Sequence, residues 1–381
     1  MDVAALDAAA TAVRDAFPHP IVRQYSVKAN DVPLVIGAIA ARGFGANVVS
    51  RGEWAAATRA GVPEDRITLE GVGKTTADLR AAVRAAAAGH PLRWIALESP
   101  EEAEELAALA TRARVRLDVL YRLNPDVAPE TQAGLAVGVG LSKFGMDESA
   151  IARAVEAGGG PDGPLRPRGI HLHVGSQLGA VDAWRDAVRK GLALTALWRG
   201  SIATFDTLDM GGGFPILPEG QPAPDVARFA RELPALLETI PADRRPTRLA
   251  IEPGRALVAR AGWLLARVLH VRDRSGPQVV LDAGMTELIR PALYGGHHPV
   301  VALTSLGRRV VPGGAHPGDP TLVATRVEGP ICESTDSLGS HDLPPLRRGD
   351  LVAIADAGAY AASQASRYNG RPLARTVLVG G

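Results

Sequence analysis

Cysteine is nearly absent from this sequence, since Cys332 is the only one among 381 residues. A single thiol excludes an intrachain disulfide and any metal cluster built from several cysteines. A charge excess is also missing, because 42 Lys and Arg residues oppose 41 Asp and Glu residues without a block of like charge. The charge pattern therefore indicates neither nucleic acid nor an anionic membrane as a partner.

Long apolar runs and targeting patterns are missing as well. No run of 18 apolar residues occurs, which is the length typical of a membrane span. Asp2, Asp7 and Asp15 interrupt the N-terminal region, which lacks the basic and then apolar pattern of a secretory signal. The hydrophobic content of 46% is typical of a globular core. We therefore expect a cytoplasmic protein with one large domain and a smaller one.

Strand-like and helix-like segments alternate over the first two thirds of the chain. The pattern predicts a helix over residues 1–17 and further helices that include residues 52–60, 76–88 and 101–112. The predicted strands are residues 21–28, 46–50, 67–72, 93–99, 117–124, 169–175, 205–210 and 248–253. Eight strands alternating with helices predict a closed (β/α)8 TIM-type barrel, which we place at residues 1–260.

The pattern changes after residue 261, where helical periodicity fades and short β-rich runs appear between Gly and Pro residues. These runs are residues 264–271, 278–282, 322–327, 351–355 and 376–379. They predict a C-terminal antiparallel β domain over residues 261–381. The polar, glycine-rich residues 307–320 are predicted to form a loop.

The first predicted strand ends in Tyr25-Ser-Val-Lys28-Ala-Asn30, which places one lysine at the mouth of the barrel. A lysine there is costly to bury without a partner. Desolvation lowers the pKa of an ammonium group and makes the amine a usable nucleophile and Schiff-base former. Lys28 is therefore either a Schiff-base lysine or an ordinary lysine at the barrel mouth.

Three further groups suit a phosphate at the C-terminal ends of the strands, where barrel enzymes carry their chemistry. Gly211, Gly212 and Gly213 follow strand 7, and glycines let backbone N–H groups approach phosphate oxygens. A tight turn is the alternative interpretation, although a turn needs fewer than three glycines. Ser176 could bond the same phosphate. Arg255 could bind the phosphate or a substrate carboxylate.

Two kinds of ionisable side chain end strands 6 and 8. His171 and His173 lie two residues apart in one predicted strand, and we expect only one of them to line the lumen. Neither has an acidic or histidine partner at a helpful spacing, so we predict no metal site, and a ring stacked on a flat cofactor or a core histidine fits better. Glu252, just before Pro253, could pair with a protonated ring nitrogen, which would make that ring a stronger electron sink. The alternative is a salt bridge to Arg255 or to another arginine.

Gly71-Val-Gly73-Lys74-Thr75 imitates the end of a phosphate-binding P-loop. The motif requires a glycine where this chain has Thr68. We therefore do not expect this protein to be a nucleoside triphosphatase.

Three C-terminal runs have polar tips. Cys332 lies in a polar run after Gly329-Pro330, which favours a functional thiol in a loop over a small core residue. The runs Arg290-Pro-Ala-Leu-Tyr294 and Gly358-Ala-Tyr360 also indicate loops, and each is a weak signal by itself.

Taken together, these motifs resemble those of the fold-type III pyridoxal-phosphate decarboxylases, from about residue 5 to the C-terminus. Within that family the chain most resembles the diaminopimelate decarboxylases. The motifs that carry this similarity are Ser142-Lys-Phe-Gly145, His173-Val-Gly-Ser-Gln177, Arg290-Pro-Ala-Leu-Tyr294, Cys332-Glu333-Ser334 and Tyr368-Asn-Gly-Arg-Pro372. The resemblance implies a pyridoxal 5'-phosphate cofactor and decarboxylation of an amino acid, with meso-diaminopimelate and L-lysine as the expected substrate and product.

The resemblance also implies roles for individual residues. Lys28 would bind the cofactor covalently, His173 would stack on its ring and Glu252 would pair with its ring nitrogen. Cys332 would donate a proton after carbon dioxide leaves. The remaining cofactor-binding residues would be Ser176, Gly211, Gly212, Gly213, Pro253, Gly254, Arg255 and Tyr360, and the substrate-binding residues would be Arg255, Arg290, Tyr294, Glu333 and Tyr360. Since Cys332 and Glu333 come from the second subunit in this family, a homodimer with shared active sites is implied.

Some features depart from the family and leave other activities open. Asn47 stands where the family usually has aspartate near the cofactor lysine. The chain also begins almost inside its first helix, where relatives usually have a strand of the β domain. The alternatives are a decarboxylase of another basic amino acid or of a siderophore or antibiotic precursor, possibly tethered to a carrier, a racemase of the same fold type, and a non-catalytic cofactor carrier. Glu252 argues against the racemase, because racemases of this fold place arginine near the ring nitrogen, and the C-terminal β domain argues against the carrier.

Overall fold

The computed structural model describes residues 1–127, 142–216, 225–273, 275–308, 310 and 321–380. The chain divides into two compact units, Asp7–Leu257 and the combination of Met1–Leu6 with Val258–Gly381. The first six residues thus belong with the C-terminal part, whereas the sequence predicts them as part of the barrel. Their backbone explains this assignment, because Val3 N–H donates to Val379 O at 3.0 Å and Val379 N–H donates to Met1 O at 2.9 Å.

The unit Asp7–Leu257 contains a closed barrel of eight parallel strands in sequence order, which confirms the predicted (β/α)8 fold. The strands are β1 (Val22–Ser26), β2 (Gly45–Val48), β3 (Ile67–Leu69), β4 (Trp94–Leu97), β5 (Leu117–Leu123), β6 (Leu165–Leu172), β7 (Thr207–Asp209) and β8 (Arg248–Ile251). The first and last strands close the barrel through the parallel pairs Val22–Ala250 and Arg23–Ile251. Most strand residues are buried on both faces, as is typical of a parallel sheet covered by helices.

Helices follow the strands, and several of them begin at a residue that caps the first turn. The helices are α1 (Val3–Ala16), α2 (Pro33–Ala40), α3 (Arg51–Arg59), α4 (Thr76–Ala87), α5 (Pro100–Ala113), α6 (Glu148–Ala157), α7 (Asp182–Arg199), α8 (Val226–Ala230), α9 (Leu233–Glu238), α10 (Arg255–Val258) and α11 (Arg290–Tyr294). Ser99 accepts from Glu102 N–H and Pro100 occupies the first turn of α5. Thr75 and Asp78 form a capping box at the start of α4.

The C-terminal unit contains a six-stranded sheet with the order β11-β14-β9-β10-β12-β13. The strands are β9 (Leu264–Asp273), β10 (Pro277–Leu281), β11 (Val300–Leu303), β12 (Val323–Glu328), β13 (Ser337–Leu343) and β14 (Leu351–Ile354). All neighbouring pairs are antiparallel except β10 and β12. The core of this unit includes the fully or nearly fully buried residues Val268, Val279, Leu281, Val327, Val352 and Ile354.

The sequence misses two strands of this sheet and predicts one segment that pairs only at a single residue. Strand β13 contains Gly, Ser, His and Asp residues, so it lacks the β-branched pattern that identifies a strand. The predicted run 376–379 contributes a parallel bridge between Val379 and Asp2. Residues 309 and 311–320 of the predicted loop lie outside the described residues. Among the described residues, no helix is long and apolar enough to cross a membrane.

We expect Phe205→Ala to destabilise the barrel unit by about 3–5 kcal/mol, because it empties a fully buried site. The Phe205 ring lies 6.2 Å from the Tyr121 ring and 5.9 Å from the Trp198 ring. Urea unfolding followed by tryptophan fluorescence measures the change. Leu197→Ala is the matched control, since Leu197 is 69% exposed and its truncation should cost within about 0.5 kcal/mol. Equal unfolding midpoints for the two variants would contradict the assignment of Phe205 to the core.

Candidate active site

Lys28 lies in a single 3-10 turn, Val27–Ala29, immediately after β1. Two contacts fix the end of β1 against the end of β8: Ser26 Oγ donates to Glu252 O at 3.0 Å, and Ser26 N–H donates to Pro253 O at 3.1 Å. A Cβ on Gly254 would lie 3.0 Å from Ser26 Cβ, so the two chain segments approach closely. The side chain of Lys28 is half-buried, and its charge acts on both His173 and Glu252.

The glycines after β7 let the backbone pass between the ends of β6 and β8. A Cβ on Gly211 would lie 2.2 Å from Leu172 O, and one on Gly212 would lie 2.3 Å from Glu252 O. Gly211 also has a φ of 67°, which few side chains tolerate. Close packing therefore requires glycine at these positions whether or not a phosphate binds there.

The same backbone fixes the tautomer of His173, which lies just beyond the end of β6. Gly212 N–H donates to His173 Nδ1 at 3.3 Å. Because an N–H group can only donate, Nδ1 carries no proton and the proton of the neutral ring is on Nε2. Burial, followed by the charge of Lys28, lowers the pKa of His173 well below its usual range. His173 is therefore a neutral ring next to the lysine.

His171 points into a buried group of ionisable side chains that the sequence does not reveal. His171 Nε2 lies 3.4 Å from Glu70 Oε2 and 3.5 Å from Glu252 Oε2. The three residues are between 2% and 4% exposed, and Asp209 beside them is fully buried. We call Glu70, His171, Asp209 and Glu252 the buried acid group. The expectation that neither histidine has a suitably placed acidic partner is wrong, because the ends of the four strands β3, β6, β7 and β8 bring these side chains together. The expectation that only one histidine lines the lumen is also wrong, since residues two apart on a strand share a face and both rings lie at the barrel mouth.

Burial controls the protonation of the buried acid group. Burial, together with the charge of Glu252, raises the pKa of Glu70 and of Asp209 well above the usual range. Burial also raises the pKa of Glu252, while Glu70, Lys28, Arg122 and Asp209 oppose that rise. Burial lowers the pKa of His171 to about 4. These directions favour a neutral His171 and oppose simultaneous ionisation of the three carboxyl groups.

A second polar group lies at the candidate phosphate position. Arg255 Nη2 donates to Ser176 Oγ at 3.1 Å, and Arg255 is 7% exposed. Gln177, the last residue of the same motif, has a φ of 59° and fixes the following loop by donating to Ile216 O and accepting from Ile216 N–H, both at 2.7 Å. Ser176 and Arg255 thus present a hydroxyl and a guanidinium group together, as an anion site requires.

An ion pair supports the far side of the barrel mouth. Arg122 Nη1 lies 2.5 Å from Glu98 Oε1, and Gly145 N–H donates to Glu98 Oε2 at 2.8 Å. The Arg122 guanidinium lies 4.7 Å from the centre of the Phe144 ring, which belongs to the motif Ser142-Lys-Phe-Gly145. Lys74, which lies in the sequence that imitates a P-loop, forms an ion pair with Glu102, with Lys74 Nζ 3.0 Å from Glu102 Oε1.

In the C-terminal unit, two of the predicted motifs meet. Cys332 and Glu333 are exposed in the connection between β12 and β13. Asn369 Nδ2 lies 3.6 Å from Cys332 Sγ, and Tyr368 Oη donates to Glu333 Oε1 at 2.5 Å. This bond raises the pKa of Tyr368. The run Tyr368–Gly370 therefore orients both the thiol and the carboxylate.

The other substrate candidates of this unit surround one arginine. Arg290 begins α11, is 8% exposed and lies 5.4 Å from the Tyr294 ring centre and 5.8 Å from the Tyr360 ring centre. Burial lowers the pKa of Arg290. Tyr360 has a φ of 59°, a backbone conformation that costs energy for a tyrosine and tends to occur at functional sites.

Sequence reasoning missed Glu70, Glu98 and Arg122. Each of them lies at or just after the C-terminal end of an apolar strand, namely β3, β4 and β5. The rule that led to Lys28 and Glu252 applies equally to these positions. These three residues could therefore have been found by looking for a charged residue at the end of each apolar strand.

We expect His171 to make the protein less stable as the pH falls. In the unfolded chain the pKa of a histidine is near 6.5, while burial lowers the pKa of His171 to about 4. The unfolded state thus binds the additional proton, and stability is lost as the pH falls from 6.5 towards 4. The loss attributable to His171 should be about 2 kcal/mol between pH 7 and pH 5.

Urea unfolding of the wild type and His171→Asn over this pH range measures the difference. The carboxyl groups are common to both proteins, so the difference isolates the imidazole. Parallel pH curves for the two proteins would contradict a buried neutral His171.

The comparisons with known proteins agree on one family. Residues 3–259 match the model of the pyridoxal-dependent decarboxylase, pyridoxal binding domain. The diaminopimelate decarboxylase of Aquifex aeolicus is 34% identical over 374 residues, which cover 97% of this chain and 83% of that protein. The enzyme of the same name from Zymomonas mobilis is 35% identical over 367 residues, which cover 94% and 80% of the two chains.

A solved structure is similar over the whole length. The diaminopimelate decarboxylase of Helicobacter pylori complexed with L-lysine superposes with a TM-score of 0.86 at 26% identity, covering 100% of this chain and 90% of that chain. The chain therefore belongs to the pyridoxal-dependent decarboxylase family, and its cofactor is pyridoxal phosphate.

Proposed function

We propose that this protein decarboxylates meso-diaminopimelate to L-lysine with pyridoxal 5'-phosphate as its cofactor. The observation that carries the proposal is the group of Lys28, His173 and Glu252 at one end of a barrel that matches the pyridoxal binding domain. The two relatives and the solved structure described above are all diaminopimelate decarboxylases, which supports this substrate.

The residues present fit the cofactor. Glu252 Oε1 is buried and has no hydrogen-bond partner among the described residues, so it can accept one from a protonated ring nitrogen. Lys28 would hold the cofactor covalently, the neutral ring of His173 would lie on its face, and Ser176 and Arg255 would bind its phosphate. Pro253, Gly254 and the three glycines from Gly211 to Gly213 would shape the walls of this site. When bound, the cofactor supplies an electron sink for the pair that remains as carbon dioxide leaves.

The protein would control the protonation and the charge of the groups around the cofactor ring. Glu252 would keep the ring nitrogen protonated, because a carboxylate in this apolar setting needs a positive partner. His173 would contribute no competing charge, since its Nδ1 is committed to Gly212 N–H and its ring is neutral. Cys332 Sγ would return a proton to the substrate carbon, with Asn369 Nδ2 holding the thiol in place.

The remaining polar residues would recognise the far end of the substrate. Meso-diaminopimelate carries a second carboxylate and a second ammonium group, which need one cationic and one anionic partner. Arg290 is a buried cation between two tyrosine rings, and Glu333 is an exposed anion held by Tyr368. We propose that Arg255, Arg290, Tyr294, Glu333 and Tyr360 bind the substrate, and that Arg290 and Glu333 read its distal charges.

We further propose a cytoplasmic homodimer in which Cys332 and Glu333 serve the active site of the partner subunit. The exposure of both residues in a single chain supports this arrangement. The single cysteine of the chain agrees with a reducing compartment.

Purified protein with added pyridoxal phosphate should release carbon dioxide from meso-diaminopimelate and form L-lysine. Lys28→Ala should not fix the cofactor on borohydride reduction, because it lacks the amine. Cys332→Ala should keep the fixed cofactor and lose about 100-fold or more in turnover, the usual contribution of a positioned acid. A parallel screen with ornithine, arginine and lysine as substrates tests the choice of amino acid. Carbon dioxide release from one of these and not from meso-diaminopimelate would overturn the substrate assignment.

Mixing two inactive variants should test the shared sites. In a hybrid dimer of Lys28→Ala and Cys332→Ala chains, one of the two sites contains an intact lysine and an intact thiol. Random exchange of equal amounts should therefore restore about a quarter of wild-type activity. The control is each variant incubated with more of itself. Failure to recover activity, with exchange verified by differently tagged chains, would show that each site is built from one chain.

A further inference from the structure

Glu70 lies outside every motif that the proposed function uses, yet it is central to the buried acid group. Glu70 follows β3 and is 4% exposed. Asn47 Nδ2, from β2, donates to Glu70 Oε2 at 2.9 Å. His171 Nε2 lies 3.4 Å from the same oxygen. One ring nitrogen of His171 and one carboxylate oxygen from each of Glu70 and Glu252 all lie within 4.8 Å of one another. Glu70 is thus linked to Glu252 through the imidazole.

The buried acid group contains more carboxyl groups than it can ionise. Glu70, Asp209 and Glu252 share a site with almost no exposure to water, and adjacent carboxylates in such a site repel strongly. The charged and titratable side chains that act on it from the surrounding elements are Lys28, Glu98, Arg122 and His173. Arg122 is already paired with Glu98, which leaves Lys28 as the other cation of this set.

We propose that Glu70 is a positioning residue that remains a neutral carboxylic acid, so that Glu252 is the one carboxylate available to the cofactor ring. This inference rests on the proposed function, because it assigns Glu252 to the ring nitrogen. Asn47 donates to one oxygen of Glu70, and Nε2 of His171 lies between Glu70 and Glu252, 3.4 Å and 3.5 Å from their Oε2 atoms. Glu70 Oε1, Asp209 Oδ2 and Glu252 Oε1 all lack a hydrogen-bond partner among the described residues. The charge settles on Glu252, because Ser26, two residues before Lys28, is hydrogen-bonded to the main chain of Glu252 and Pro253 and the Lys28 charge favours the ionised form of Glu252.

The neighbours of the two glutamates explain why Glu70 keeps the proton. Lys28 and Arg122 both favour the ionised form of Glu252, and the adjacent Glu70 and Asp209 groups favour it as well. Burial and the charge on Glu252 act against ionisation of Glu70, and His171 and Arg122 oppose them only in part. Asn47 strengthens this arrangement, because an amide at this position cannot ionise and adds no further negative charge.

The test compares binding of pyridoxal phosphate to the apoprotein, followed by the visible absorption of the bound cofactor across neutral pH. Glu70→Gln mimics the neutral acid and should keep the dissociation constant within about threefold of wild type, with an unshifted pH titration. Glu70→Ala leaves Asn47 and His171 without their partner and should weaken binding about tenfold or more. Glu252→Gln should weaken binding and shift the pH titration of the bound cofactor.

Glu102→Gln is the control for loss of a partly buried barrel carboxylate, because Glu102 pairs with Lys74. It should lower thermal stability without moving the cofactor titration. Infrared spectra of apoprotein with carbon-13-labelled glutamate supply a direct readout. The wild type should show a protonated glutamate carboxyl band that Glu70→Gln lacks.

Two results would overturn the proposal. One is a Glu70→Gln variant whose cofactor affinity and pH titration change as much as those of Glu252→Gln, which would mean that Glu70 is ionised. The other is a stoichiometric divalent metal in purified wild type that Glu70→Gln loses, because a cation would then neutralise the group. A wild-type protein that binds no pyridoxal phosphate would instead refute the proposed function, so the two failures are distinguishable.

Discussion

The structure depends on the cost of placing ionisable carboxyl groups in an apolar barrel. Glu252 immediately follows β8 and is 3% exposed, and an isolated carboxylate at such a position would cost much free energy. The protein surrounds it with groups that reduce this cost: Lys28 and Arg122 through their charge, and Glu70 and Asp209 as neighbouring acids. A cationic ring placed against Glu252 would complete this compensation. The chemistry of the ring and the stability of the barrel mouth would then rest on the same interaction.

Close backbone packing makes that interaction possible. The segment after β7 passes so near β6 and β8 that Cβ atoms at Gly211 and Gly212 would collide with main-chain oxygens. The same approach brings Gly212 N–H to His173 Nδ1 and so fixes the proton of the imidazole. A sequence motif that first suggests phosphate binding therefore has an independent packing reason, and it acts on the electrostatics of a neighbouring strand.

Much of the barrel could be predicted from the sequence, because parallel strands buried on both faces give apolar runs that end abruptly at polar residues. All eight strands follow from that pattern. Strand β13 could not be found, since Ser337–Leu343 owes its place to pairing with β12 rather than to its own residues. Contacts between distant strands were also hidden. His171 and Glu70 are 101 positions apart, and only closure of the barrel makes them neighbours.

The two units contribute different chemistry to the proposed reaction. The barrel unit holds Glu252, which is buried, and His173, whose ring accepts a main-chain hydrogen bond, and both would act on the cofactor ring. The C-terminal unit holds Cys332 and Glu333, which are exposed and oriented by the side chains of Asn369 and Tyr368. A buried, fixed set of groups suits a cofactor that stays in place, because its electrostatics must not vary between turnovers. An exposed thiol and carboxylate suit the substrate, which must enter and leave.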